Sequence, residues 1–266
     1  MQRAAGIVAD AHVHFYSVFD VGRAVSALSG NLAALAAPGA TRVGLLADAG
    51  EPVGFARLAD KAPQSVGASL DVTAGPEDGS LRVTGADGDT LYLIAGRQLV
   101  TDERLEVLGL AMRGTVPAGL SAAETIRAVR EGGGVPVLTW APGKWSGRRG
   151  RVVRALLERS EPAELLLGDP LMRAWGLPEP RVFGAARLRG FRVVAGSDPL
   201  PLRREERWLG RYATALDGAF DPARPVSSVR TLLLDPGVPL RPVGRRCSVL
   251  TMLLRTFRLY VRRSHS

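Results

Sequence analysis

Polar and metal-ligating side chains recur in this chain at the carboxyl ends of short apolar runs. No other feature constrains the fold more. The first run, Ala4 to Ala9, leads into Asp10, His12 and His14. Later runs lead into Gln98, Trp140, Asp169 and Asp198. From Thr90 onward these runs alternate with segments of helical periodicity, which argues for an α/β fold with a parallel sheet. In a β/α barrel the carboxyl ends of the strands share one rim, where sites of that architecture are built. An open doubly wound sheet binds instead at a single crevice. The chain holds neither a Gly-x-Gly-x-x-Gly nor a Walker sequence, and Gly132-Gly133-Gly134 follows a helix as its stop. The barrel is the preferred reading.

The elements follow from spacing. Val21, Val25, Leu28, Leu32 and Leu35 recur at helical intervals, and Pro38-Gly39 ends that helix. Arg42 to Ala47 is a short strand. Residues 63–89 carry two β-like runs, Ser69 to Thr73 and Leu81 to Thr84, and read as a small hairpin excursion. Leu91 to Ile94, Leu105 to Met112, Val135 to Leu138, Glu164 to Leu167 and Phe191 to Ala195 are expected strands. Ser121-Ala122-Ala123-Glu124 is a capping box that opens a helix to Glu131. Arg151 to Arg159, Arg181 to Arg189 and Glu205 to Leu216 are expected helices, and Val229 to Leu234 a last strand. Arg245 to Arg263 reads as a basic amphipathic helix with an apolar arc of Val249, Leu250, Leu253, Phe257 and Tyr260. Such a helix is expected to close the barrel against that arc. The domain reading is one barrel over 1–240, followed by this helix over 241–266.

Composition narrows the context. With one cysteine, Cys247, the chain has no disulfide framework, which fits a reducing compartment, most simply the cytoplasm. No leader-like apolar region follows Met1, and no run of apolar residues is long enough to span a bilayer. The net charge is +9, and only Lys61 and Lys144 among the 35 basic residues are lysine. A basic surface favours small anionic substrates such as phosphate esters. The arginines are dispersed without an aromatic-interleaved stripe, so neither nucleic acid nor a membrane is an expected partner.

The chain has three histidines, and two of them stand at His12 and His14, the third being His265. Side chains at i and i+2 of an extended segment point the same way, so Asp10, His12 and His14 leave one strand end together. Imidazole and carboxylate suit zinc, manganese or iron. The alternative is a polar strand end without a ligand.

Asp10-x-His12-x-His14, with Gly196-Ser197-Asp198 at a late strand end, resembles the polymerase and histidinol phosphatase (PHP) family. The resemblance implies a distorted TIM-like (β/α)7 barrel covering most of the chain. It implies a site for two or three divalent metal ions and hydrolysis of phosphate esters. Departures from the pattern are specific. Pro199 and Leu200 follow Asp198 where the family has Asp-x-His. Gly96-Arg97-Gln98 offers an amide where the family has a glutamate. Thr139-Trp140-Ala141-Pro142-Gly143 lacks the histidine that precedes the family's proline and glycine. A full trinuclear set cannot be assembled. One ion held by His12, His14, Glu106 and Asp198 is the set that remains.

The expected function is therefore metal-dependent phosphoester hydrolysis with Asp10 or Asp198 orienting or deprotonating water. Gln98, Lys144, Arg148, Asp169 and Arg173 are the candidate substrate-binding groups. Lys144 and Arg148 lie on a Gly-bounded loop suited to phosphate. Asp169 is read equally as the cap of a turn. The competing expectation is a PHP-like barrel that has lost catalysis, holds no ion and binds an anionic ligand or partner. A third reading, another amidohydrolase-type barrel beginning with His-x-His, needs further histidines that this chain lacks.

Overall fold

The computed structural model describes residues 6–49, 54–67, 70–86 and 88–263; His265 and part of the expected run from Ser69 lie outside them. The first half comprises β1 (Ile7–Val13), α1 (Val21–Leu35), β2 (Thr41–Leu46), β3 (Asp48–Ala49) and α2 (Phe55–Ala59). Five strands follow: β4 (Gln64–Val66), β5 (Leu70–Ala74), β6 (Ser80–Gly85), β7 (Thr90–Ile94) and β8 (Gly96–Val100). The middle holds β9 (Glu106–Leu110), α3 (Ala122–Glu131), β10 (Val135–Thr139), α4 (Gly147–Arg159), β11 (Leu166–Pro170), α5 (Arg181–Leu188) and β12 (Val193–Gly196). A 3-10 turn (Glu205–Trp208), β13 (Tyr212–Leu216), α6 (Pro225–Leu234), β14 (Leu240–Gly244) and α7 (Val249–Arg263) complete the chain.

Local chemistry accounts for the helices. The Asp20 carboxylate caps α1 by accepting from Arg23 N at 2.8 Å, and Ala24, Val25, Leu28 and Leu32 form its buried face. The Ser121–Glu124 capping box of α3 is present, with both reciprocal bonds made.

The strands form a mixed architecture of two sheets. One runs in the order β14-β13-β1-β2-β7-β6-β5-β4, the other β12-β11-β10-β9-β8-β3. Parallel pairing joins β1 to β2, β2 to β7, β10 to β11 and β11 to β12. Antiparallel pairing joins β1 to β13 and β9 to both β8 and β10. Regular seven-fold β/α alternation is therefore not what the chain builds, and no closed ladder appears among the described residues. Strands joined by hairpins without a crossover helix, such as β5–β6–β7 and β8–β9, must pair antiparallel. Residues from both sheets, among them Ala9, Val43, Ile94, Leu108, Val137 and Val194, share one buried cluster. The edge strand β12 approaches the first sheet through single bonds: Asp198 N donates to His12 O at 2.9 Å and Ala195 N to Thr214 Oγ1 at 2.7 Å.

Four expected elements are corrected. Residues 229–234 belong to α6, because Pro225 at its first turn and the buried Val226, Val229, Leu232 and Leu233 follow a helical period. Residues 205–216 divide into the 3-10 turn and β13, whose inward Tyr212 and Thr214 alternate as on a strand. The last helix begins at Val249, and residues 240–244 pair with β13 as a strand. Finally, of the apolar arc of α7 only Val249 packs on the core. Leu250, Leu253, Leu254 and Phe257 are each more than half exposed, and the face turned inward carries Arg255.

Candidate metal centre

The site begins with an irregularity in β1. Its pairing with β2 shifts register between Asp10 and Val13, which marks a β-bulge. Val8 and Val13 both reach the cluster beneath α1, five residues apart, which unbroken alternation forbids. The bulge re-aims the strand end so that His12 and His14 converge: their Nε2 atoms stand 3.0 Å apart, with ring centroids 4.8 Å apart.

Asp198 arrives from the other sheet. It has φ 43°, the left-handed region that a non-glycine residue enters at a cost. Its amide is held by His12 O, and its Oδ1 lies 3.6 Å from His12 Nε2 and 3.8 Å from His14 Nε2. Gly196 makes this approach possible, since a Cβ there would sit 2.5 Å from His12 N. His12, His14 and Asp198 each offer one ligand atom within 4.8 Å of the others.

Asp10 sits beneath this trio as a tether. Its Oδ1 accepts from His12 N at 3.1 Å and Ser197 N at 2.8 Å, and its Oδ2 accepts from Gly210 N at 2.8 Å. The carboxylate is fully buried and its pKa is raised by that burial, against the hydrogen bonds that lower it.

The electrostatics favour donation of lone pairs. Burial, and then the neighbouring His12, push the His14 pKa well below its usual value, so its ring is neutral near pH 7. Burial also raises Asp198; His12 opposes the rise and Glu106 adds to it. His12 Nε2 is approached by Gln98 Oε1 at 2.8 Å, His14 Nε2 at 3.0 Å and Asp198 Oδ1 at 3.6 Å. One proton on that nitrogen cannot satisfy three acceptors. A cation can. Ligand atoms roughly 2.0–2.1 Å from a tetrahedral ion stand about 3.3 Å apart, close to the spacing seen here. The donor set fits zinc, manganese or iron.

The other expected residues fall in three places. Glu106 is not in the converging trio; it forms an ion pair with Lys144 and lies near enough to influence both Asp198 and Tyr16. Gln98 joins the trio directly through His12. Arg148 is exposed on the first turn of α4. Asp169 and Arg173 pair bidentately, 2.6 Å for each bond, and Tyr212 Oη donates to Asp169 at 2.8 Å, all three buried. Trp140 packs on the cluster containing Leu105 and Val153, and Leu200 on that containing Leu171 and Met172.

Two groups were not anticipated. Tyr16 stacks on His14 with centroids 4.9 Å apart, extending the 10-12-14 alternation by one more step. Arg255 ties α7 to the buried Glu205 at 2.9 and 2.5 Å, and Glu205 Oε2 also accepts from Leu200 N at 3.4 Å.

No protein-family model matches the chain, and no curated protein matches its sequence. Solved structures do resemble it. PsfC from Pseudomonas syringae PB-5123 superposes with a TM-score of 0.58 at 14% identity, over 98% of this chain and 99% of that one. The lesion-specific endonuclease PfuEndoQ from Pyrococcus furiosus gives 0.51 at 12% identity, over 88% of this chain and 57% of the endonuclease. These likenesses concern the fold. The overall architecture is thus one that other proteins build along nearly the whole length of this chain, and His12, His14 and Asp198 form a group able to hold a metal ion within it.

Proposed function

We propose that this chain is a PHP-like hydrolase of phosphate esters with a mononuclear metal site at His12, His14 and Asp198. The convergence of those three ligand atoms within 4.8 Å carries the reading. The likeness to PsfC and to an endonuclease is compatible with the PHP-like fold that the Asp10-x-His12-x-His14 resemblance implies, built here as two sheets. A divalent ion bound there supplies Lewis acidity and lowers the pKa of water.

The chain's own groups divide the remaining work. Asp198, a ligand through Oδ1, orients water with its second carboxylate oxygen as the water oxygen bonds to phosphorus and gives up a proton. The phosphorus–oxygen bond to the alcohol breaks, and the same proton passes to the departing oxygen. Lys144 neutralises charge on the phosphoryl group, exchanging its contact with Glu106 for one with substrate. Asp10 holds the backbones of both sheets in register for Asp198, and acts as a positioning residue. Gln98 fixes the His12 ring.

A second reading rests on the same Gln98. Its 2.8 Å contact gives His12 an internal partner that needs no ion, as expected of a scaffold that binds an anion without hydrolysing it. Elemental analysis of untagged protein, followed by a phosphomonoester and phosphodiester screen, decides between them. About one equivalent of zinc, manganese or iron, with turnover lost in the His12→Ala/His14→Ala variant, supports the hydrolase. Absence of metal with retained phosphate binding supports the scaffold.

A further inference from the structure

Helix α7 turns most of its large apolar side chains outward. Leu250, Leu253, Leu254 and Phe257 form one stripe at i, i+3, i+4 and i+7, and each is more than half exposed. The inward face carries Val249 and Met252, packed on the cluster of Leu171 and Met172, and Arg255, bound to Glu205, which is fully buried. Leaving that carboxylate without a cation in the interior is far more unfavourable than leaving leucines in water. The ion pair therefore sets the roll of the helix, and the apolar stripe faces out.

The surroundings of the stripe specify what covers it. From Val249 to Arg263 the helix contains no aspartate or glutamate. Phe257 and Val261 line a groove of about 490 Å³ together with Arg203, Arg258 and Arg262. At the other end of the helix, Arg211, Arg245 and Arg246 line a second groove. A second copy of the same helix would bring arginine against arginine. The complement of this face is flat, apolar and anionic.

We infer that α7 is an interfacial helix that docks the protein on an anionic lipid surface. Its leucines and Phe257 enter the acyl boundary and the flanking arginines meet lipid phosphates. At 15 residues it lies on a bilayer, and among the described residues no helix is long and apolar enough to cross one. Arg255 of the docking helix bonds Glu205, which in turn accepts from the amide of Leu200, two residues after Asp198.

Co-sedimentation of the full chain tests this, with phosphatidylcholine vesicles against mixed phosphatidylcholine–phosphatidylglycerol vesicles. The wild type should bind the mixed vesicles at least about tenfold more tightly than the neutral ones, with binding weakened by salt. Leu253→Glu/Phe257→Glu, altering exposed positions only, should keep the wild-type Tm and lose vesicle binding. Equal binding by that variant overturns the inference, as does failure of the wild type to bind the anionic vesicles. So does a wild-type dimer in solution that the double substitution dissociates while vesicles leave it unchanged, which would assign the stripe to a second copy.

Discussion

His14 Nε2 stands 3.0 Å from His12 Nε2, and both rings are buried. A single proton can bond this pair, but Gln98 Oε1 and Asp198 Oδ1 crowd the same His12 nitrogen with lone pairs of their own, in opposition. A metal ion relieves that opposition. Replacing both histidines by alanine should abolish metal binding, and replacing His14 alone should weaken it by about a hundredfold. Titration with cobalt, followed by its visible absorption, reads this directly.

Metal affinity should fall with pH in a defined order. The lowered His14 stays neutral to well below its ordinary value, so it is not the first ligand lost. Asp198, raised by burial, takes up its proton at a higher pH than a free carboxylate and releases the ion first. Asp198→Asn should bind metal more weakly at neutral pH and show a flatter pH dependence between pH 7 and the ordinary carboxylate range near 4. A wild-type profile set by the histidine range near 6.5 would refute this order.

Glu106 and Lys144 neutralise each other at a partly exposed position, so neither contributes much to folding. Glu106→Gln should leave metal content unchanged and tighten inorganic phosphate binding, since it frees the ammonium. Lys144→Met should raise KM for a phosphoester by about tenfold with a Tm close to wild type. Loss of the metal in Glu106→Gln would instead make Glu106 a ligand.

Asp10→Asn should destabilise the protein by about 3 kcal/mol, because an amide cannot accept from three backbone N–H groups and its own NH2 opposes one of them. Urea midpoints at neutral pH measure this. The variant should also lose metal affinity, since the same bonds set the spacing of His12 and Asp198.

Glu77 supplies an acid-sensitive cap. It accepts from Val226 N at 2.7 Å and Ser227 N at 3.0 Å at the start of α6. Partial burial opposes its charge, but these bonds and the Ser227 hydroxyl outweigh it and lower its pKa. A lowered folded pKa gives stability that is complete above the unfolded value near 4.5 and disappears as pH falls through the folded value. Glu77→Gln should cost about 1 kcal/mol at pH 7, a gap in Tm that closes below about pH 4.

The strand ends were readable because period-2 alternation and rare histidines coincide at Asp10, His12 and His14. The partner Asp198 was readable as well, since it follows an apolar run. The pairing of Glu106 with Lys144 was not readable, because a strand residue's contact across a loop leaves no periodic trace. Tyr16 continues the same alternation past the end of β1, as His14 does, but a tyrosine there carries no ligand pattern to single it out. The two-sheet division escaped detection because hairpin and crossover connections differ in pairing direction, not in the hydrophobicity of the strands they join. The roll of α7 escaped for a different reason: a hydrophobic period identifies an amphipathic helix, but one buried arginine on the polar side outranked the leucines.

That ranking separates two demands that most surface helices must meet with the same residues. The fold holds α7 through the Arg255–Glu205 pair and the packing of Val249 and Met252, so the outward residues are free of any duty to the interior. Changes at Leu250, Leu253, Leu254 or Phe257 alter what the protein adheres to without altering whether it folds, and the adhesive face can diversify at no cost to the scaffold beneath it.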